Sequence, residues 1–280
     1  MKKILLTVAM CVAANGLLTA GSAAELVLQG ELKQGGLLWS RAAPGAKVFL
    51  NDKPVAVAEN GVFVIGFDRD ADASAKLAVC DSSALYCENR SLSIVQRSYN
   101  IQRVNGVPQQ TVTPPAEVLE RIRREGALVS KARAKFFTRQ DFVKPLSWPL
   151  IGPITGVFGS QRVYNGSPGR PHYGLDIAAP TGTVVTAPIA GVVTLAHADM
   201  FYSGGSLIID HGMGVSSTFI HLSKVLVEVG QEIKQGQAIA KVGATGRATG
   251  PHLDWRMNWS GKRLDPALVI GPMPSPATTK

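Results

Sequence analysis

Beyond residue 25, apolar positions recur in short runs at 26–28, 47–50, 55–57, 62–65 and 77–79. Runs of this length, alternating or wholly apolar, are the mark of β-strands. Turn residues separate them as Pro44-Gly45, Asn51-Asp52 and Asn60-Gly61. Asn60-Gly61 is the clearest hairpin signal, because both residues accept positive φ. Strands at this spacing predict a small β-sandwich over residues 25–104. Nothing in it looks catalytic, so docking or regulation is its expected role.

The period then changes. Gly106, Pro108, Pro114 and Pro115 mark a linker over 105–115. Val118, Ile122, Val129, Ala132 and Phe136 follow at near-helical spacing, with Glu120, Arg121, Arg123, Arg124 and Lys131 between them. This predicts an amphipathic helix over 115–136, with Pro115 in the first turn and Gly126 as a weak point. Its basic face is read as solvated. Linker and helix together form the segment 105–143. From residue 144 the β pattern returns, with runs at 183–187, 191–196, 207–210, 218–221 and 238–242 punctuated by glycines. A second β domain is expected over 144–280, so the chain as a whole is mostly β.

The N-terminus changes the picture of where such a protein works. Lys2 and Lys3 precede an apolar stretch at 4–12 that continues to Leu18, and small residues cluster from Ala20 to Ala24. This is the layout of a secretory signal cleaved after Ala24. Asn15 and Gly16 interrupt the stretch, which is short for a membrane span of about 20 apolar residues. The expectation is a periplasmic protein with no transmembrane anchor once the signal, residues 1–24, is removed. Of the three cysteines, Cys80 and Cys87 then remain. In an oxidising compartment they read as a disulfide closing a short loop, with two reduced thiols as the alternative. No histidine precedes His172, which disfavours a metal role for the cysteine pair. The formal charge of +9 would draw the protein to anionic polymers, although solubility alone also accounts for it. The basic residues lack the aromatic interleaving of a nucleic-acid surface, so no nucleic-acid partner is expected.

All five histidines lie in the second half: His172, His197, His211, His221 and His252. In His172-Tyr173-Gly174-Leu175-Asp176 an imidazole and a carboxylate stand four residues apart around a flexible glycine, a spacing that suits a zinc site or an ordinary surface turn. In His252-Leu253-Asp254-Trp255-Arg256-Met257 a strand would place His252, Asp254 and Arg256 on one face and Leu253, Trp255 and Met257 on the other. The glycine-rich run 243–250 leads into that face. In Phe219-Ile220-His221-Leu222-Ser223, alternation packs Ile220 and Leu222 one way and His221 the other. Taken alone, His221 reads better as a satisfied structural histidine. His197 and His211 are read as structural.

These three segments, in this order, resemble the lysostaphin/LytM family of zinc endopeptidases. That family carries His-x-x-x-Asp, then His followed by Leu-Ser, then Gly-Pro-His-Leu-His. Gly156-Val157-Phe158-Gly159, the run from Gly174 to Thr183 and Gly191-Val192-Val193 strengthen the resemblance, which covers roughly residues 150–270. It implies an open, mostly antiparallel β fold related to biotinyl-type barrels. It implies one Zn²⁺ held by His172 and Asp176, with His221 and His252 flanking the open position where water is activated. At 254 the chain departs from the pattern, with Asp254 in place of the third ligand His. A carboxylate also ligates zinc, but a second one weakens the metal's pull on water. The resemblance further implies cleavage of peptide cross-links in peptidoglycan. Arg162, Tyr164 and Arg170, in the approach to His172, would bind carboxylates of the stem peptides or form a solvated basic loop. The alternative is a catalytically impaired relative that binds the wall or activates a wall amidase, with other wall enzymes as partners.

Overall fold

The computed structural model describes residues 26–105 and 116–274. The expected export signal and most of the Pro-rich linker lie outside them. Among the described residues no helix is long and apolar enough to cross a membrane.

Residues 26–104 form short strands in two small antiparallel sheets. One joins Gln29–Gly30, Leu37–Arg41 and Val62–Gly66; the other joins Lys53–Val55, Lys47–Leu50, Ser74–Cys80 and Cys87–Ser93. The run expected at 26–28 starts later, at Gln29, and the strands at 37–41 and 87–93 were not legible as runs. Asn60-Gly61 does make a turn: Gly61 has φ 83°, and Val57 bridges Phe63 across it. Cys80 faces Cys87 in the register of the last two strands, and the two are joined by a disulfide.

Helix α1 runs from Ala116 to Arg133, three residues short of the expected Phe136. It lies on the larger sheet, where Val129 and Ala132 pack against Leu195, Met200 and Ile208. Arg121 pairs with Glu125 at 2.6 Å and with Asp199 at 2.9 Å, tying the solvent side of the helix to the sheet.

The larger sheet has eight antiparallel strands. Seven follow the spatial order Glu232–Ile233, Gly191–Met200, Gly204–Gly212, Val215–Leu222, His252–Trp259, Leu175–Ala178 and Ile154–Gly156, and Lys262–Leu264 pairs with the end of His252–Trp259. The mostly β fold with a C-terminal antiparallel sheet agrees with the sequence reading. His252–Trp259 lies between Val215–Leu222 and Leu175–Ala178 and turns Leu253, Trp255 and Met257 into the core, where all three are fully buried. Burying one face on both sides fixes the register, since a one-residue slip would expose that face.

The two halves share one hydrophobic core, extending from Leu26 to Leu264. Polar contacts also cross between them. Arg97 pairs with Asp265 at 2.8 Å, Arg69 donates to the Gly159 carbonyl at 2.9 Å, and the Tyr99 and Phe158 rings meet edge-on at 6.4 Å. Ile101–Val104 pairs in parallel with Gln161–Tyr164, so a strand of the first half completes a sheet of the second.

Candidate metal centre

The site occupies the outer face of the large sheet where three strands run side by side. Asp176 stands opposite Asp254, and Asp254 stands opposite Ile220. His172 enters from the loop before Leu175–Ala178. Ligand atoms of His172, Asp176 and Asp254 all lie within 4.8 Å of one another. His172 Nε2 is 3.3 Å from Asp176 Oδ1, yet both atoms are buried without a hydrogen-bond partner. Orphaned polar atoms are costly in an interior. Two carboxylates facing each other across strands are likewise unfavourable unless a cation lies between them. Both facts fit a divalent ion.

Glycines leave room for the acids. A Cβ at Gly156 would fall on the Asp176 carboxylate, and one at Gly174 on that of Asp254. Burial, reinforced by the charge of Asp254, raises the pKa of Asp176. Burial alone would raise Asp254 too, but the Arg256 guanidinium outweighs it and holds that carboxyl below its usual range. Arg256 grips both oxygens, Nε to Oδ1 at 2.9 Å and Nη2 to Oδ2 at 2.6 Å. A carboxylate keeps further lone pairs when held this way, so Asp254 can still coordinate.

Arg256 changes the charge argument made from sequence. Its positive charge cancels the second carboxylate. His172, Asp176, Asp254 and Arg256 together then carry the single negative charge of a site with one carboxylate. The period-two reading had placed Arg256 on this face but gave it no role.

His221 and His252 sit beside the acids with ring centroids 4.9 Å apart. Each Nδ1 is 2.8 Å from a backbone carbonyl, Thr245 for His221 and Gly250 for His252. A carbonyl only accepts, so each Nδ1 carries the proton and each Nε2 keeps its lone pair. His252 Nε2 is 3.9 Å from Asp176 Oδ1. Burial lowers the pKa of His221 and of His172.

The strand reading of His221 needs correction. Phe219 faces Trp255 and Ile220 faces Asp254, so Ile220 shares the site's face and strict alternation would send His221 into the core. Instead His221 adopts φ 63° at an irregular step in the pairing, which returns the ring to His252. Positive φ is uncommon outside glycine and gathers at functional sites. The Thr245 segment braces this turn, with Thr245 Oγ1 donating to the Leu222 carbonyl and accepting from Gly205 N–H, both at 2.9 Å.

Arg162 and Tyr164 lie in the strand Gln161–Tyr164, where a loop was expected. Strand pairing fixes them there, and Arg162 Nε reaches Gln102 at 3.2 Å. Arg170 lies two residues before His172, close enough to Arg263 for its charge to act on that guanidinium. His211 is structural: it is fully buried, with its ring nitrogens 2.7 Å from the Ala190 carbonyl and 2.8 Å from Ser217 Oγ. His197 Nδ1 accepts the Asp199 N–H at 3.2 Å on the exposed end of its strand.

Known proteins place this geometry in a family. The sequence profile described as peptidase family M23 matches residues 170–266. A solved Pseudomonas aeruginosa protein assigned to peptidase M23 is 33% identical, with the alignment covering 86% of this chain and 96% of that one at a TM-score of 0.67. The peptidoglycan DD-endopeptidase ShyA of Vibrio cholerae is 38% identical over 110 residues, 39% of this chain and 25% of its own. The DD-carboxypeptidase/endopeptidase Mpg of Neisseria meningitidis is 39% identical over 105 residues, 38% of this chain and 24% of its own. The match thus spans about a quarter of the length of these curated relatives. The Pseudomonas likeness extends through both halves of the fold and, with the profile match over the metal-site segments, bears out the resemblance read from the sequence: this chain belongs to peptidase family M23.

Proposed function

We propose that this protein is an exported, zinc-dependent peptidase that hydrolyses peptide cross-links of peptidoglycan in the periplasm. The observation that carries the reading is the convergence of His172, Asp176 and Asp254 beside the His221–His252 pair. One imidazole and two carboxylates suit zinc and leave a four-coordinate ion one open position. The names of the Vibrio and Neisseria relatives support a wall-peptide substrate.

Zinc bound there supplies a Lewis acid that activates water and polarises the scissile carbonyl. The chain's own residues do the rest. Burial keeps His172 neutral, with Nε2 free to coordinate. Arg256 fixes the Asp254 carboxylate toward the site. His221 and His252, each oriented by a backbone carbonyl, present Nε2 to the reacting groups. One takes the proton of the attacking water on its Nε2; the other, when its Nε2 also carries a proton, donates it to the developing oxyanion or the leaving amine. Arg162, Tyr164 and Arg170 extend the approach with groups able to meet peptide carboxylates.

The test joins metal content to cleavage. Protein purified without chelator is expected to hold about one zinc per chain, as a single three-ligand site requires, and to cut cross-linked muropeptides. His221→Ala and His252→Ala are expected to keep the zinc and lose roughly 100-fold or more of the cleavage rate. A protein that takes up no zinc even when supplied refutes the enzyme reading and favours a wall-binding module or amidase activator. Zinc lost from either histidine variant would reassign that residue as a ligand.

A further inference from the structure

Next to the metal-site row, the same face of the sheet carries a row in which Leu195, Ile208, Thr218 and Arg256 stand opposite one another on successive strands. The row after that holds Ser216, Asn258 and Arg263. Same-face residues two apart on a strand are separated by roughly 7 Å, which sets the distance of each row from the last. Arg133, at the end of α1, reaches into this region and donates to Thr218 Oγ1 at 3.1 Å. Arg263 Nη1 donates to Asn258 Oδ1 at 2.6 Å and lies over the Tyr173 ring.

Three guanidinium groups therefore gather beside the metal site, and only Arg256 has a carboxylate partner, Asp254. Among the described residues neither Arg133 nor Arg263 pairs with an acid. Arg133 Nε is buried with no hydrogen-bond partner. The acidic side chains that are not described are those of Glu25 and Glu117, and Glu117 stands sixteen residues before Arg133 in α1, roughly 24 Å along a helix. Burial, together with the charges of Arg263 and Arg256, pushes the Arg133 pKa down to about 9. The same causes, burial and then Arg256, lower Arg263. Buried charges are normally paired, and a guanidinium fork matches a carboxylate with two parallel hydrogen bonds.

We propose that Arg133 and Arg263, seated over Thr218, Arg256 and Asn258, form an anion pocket for a free carboxylate of the substrate peptide, one or two residues from the scissile bond. The roughly 7 Å step from the Asp254 row to the Arg256 row sets that spacing, since an extended peptide advances about 3.3 Å per residue. The pocket rests on the peptidase reading for its substrate. Its chemistry, recognition of a carboxylate by unpaired arginines, does not depend on turnover.

The experiment uses the full chain with two probes: a cross-linked stem peptide with free carboxylates, and the same peptide with them amidated. Binding is measured calorimetrically and cleavage separately. The expected result is at least tenfold tighter binding of the acid form, in line with a charge-assisted bidentate contact. Arg263→Gln and Arg133→Gln should each bring that ratio to within about twofold. Arg263→Lys and Arg133→Lys, which keep the charge without the fork, should fall between. If Arg133→Gln does not fold, the Arg263 pair decides the matter, because Arg263 lies on a short, partly exposed strand. Equal affinity for the two peptides, or an undiminished preference in Arg263→Gln, overturns the pocket. Preference for the acid form with no cleavage of either peptide would leave the pocket standing and refute the peptidase instead.

Discussion

At position 254 the chain places a carboxylate where the lysostaphin/LytM pattern has an imidazole, and Arg256 answers it two residues later. The pair is buried on the Asp254 side, whose side chain is only 3% exposed. The guanidinium orients the carboxylate and offsets its charge, two tasks that an imidazole at 254 would not require. A test at this scale is zinc affinity by chelator competition. Asp254→Ala is expected to weaken zinc binding by more than the roughly 10–100-fold that losing a residue which only supports a ligand costs. Arg256→Gln should fall within that range, since it leaves Asp254 in place but unclamped. Asp254→His, which restores the family residue but meets a cavity shaped for a shorter side chain, should lie between Asp254→Ala and the unmodified protein. Affinity unchanged in Asp254→Ala would remove it from the ligand set.

Two elements set the geometry around these residues. The strand His252–Trp259 is rigid because its inner residues Leu253, Trp255 and Met257 are fully buried. Its outer residues thereby inherit fixed positions, and the Trp255 indole adds a hydrogen bond to Ser217 at 3.3 Å. Helix α1 is held less tightly, by Val129 and Ala132 on the sheet and by the Arg121 ion pairs. Gly126 lies in its interior, exposed, with nothing near the position a Cβ would take. Replacing it by alanine removes backbone freedom from the unfolded chain at no steric cost. Gly126→Ala should therefore stabilise the protein by roughly 0.5–1 kcal/mol, read as a rise of about 1–4 °C in Tm. A fall in Tm would mean that α1 does not persist as a helix through residue 126.

At the scale of the molecule, the two halves are fastened by a shared core and by a few buried polar contacts. Arg97 is the most connected of these. It pairs with Asp265 at 2.8 Å, donates to the Gln34 carbonyl at 3.1 Å and lies over the Tyr99 and Phe158 rings. Asp265 in turn caps α2 (Pro266–Ile270) by accepting from Ala267 N–H at 3.0 Å. Removing one partner leaves the other charge buried, so Arg97→Ala should cost about 2–3 kcal/mol. Because the core is continuous, the whole chain should still unfold in one transition by calorimetry, at a lower temperature. Two separated transitions in the unmodified protein would show that the halves unfold independently.

How much of this was legible beforehand depends on the range of each interaction. Short β runs, the Asn60-Gly61 turn, the helix before residue 136 and a facing cysteine pair are encoded by neighbours in sequence, and they appear with boundaries shifted by a few residues. The common face of His252, Asp254 and Arg256 was readable for the same reason, since a strand alternates sides with period two. The turn of His221 out of that alternation was not, because it depends on an irregular step against the strand before it and on the Thr245 loop. The pairing of Ile101–Val104 with Gln161–Tyr164 was likewise hidden, as was the clasp of Arg97 on Asp265. Periodicity and turn chemistry, acting over a few residues, determined the elements and which side chains share a face. Only the tertiary structure decided which of those faces meet, where Arg133 is buried and what neutralises Asp254, because burial and charge pairing are set by groups that the chain brings together from distant positions.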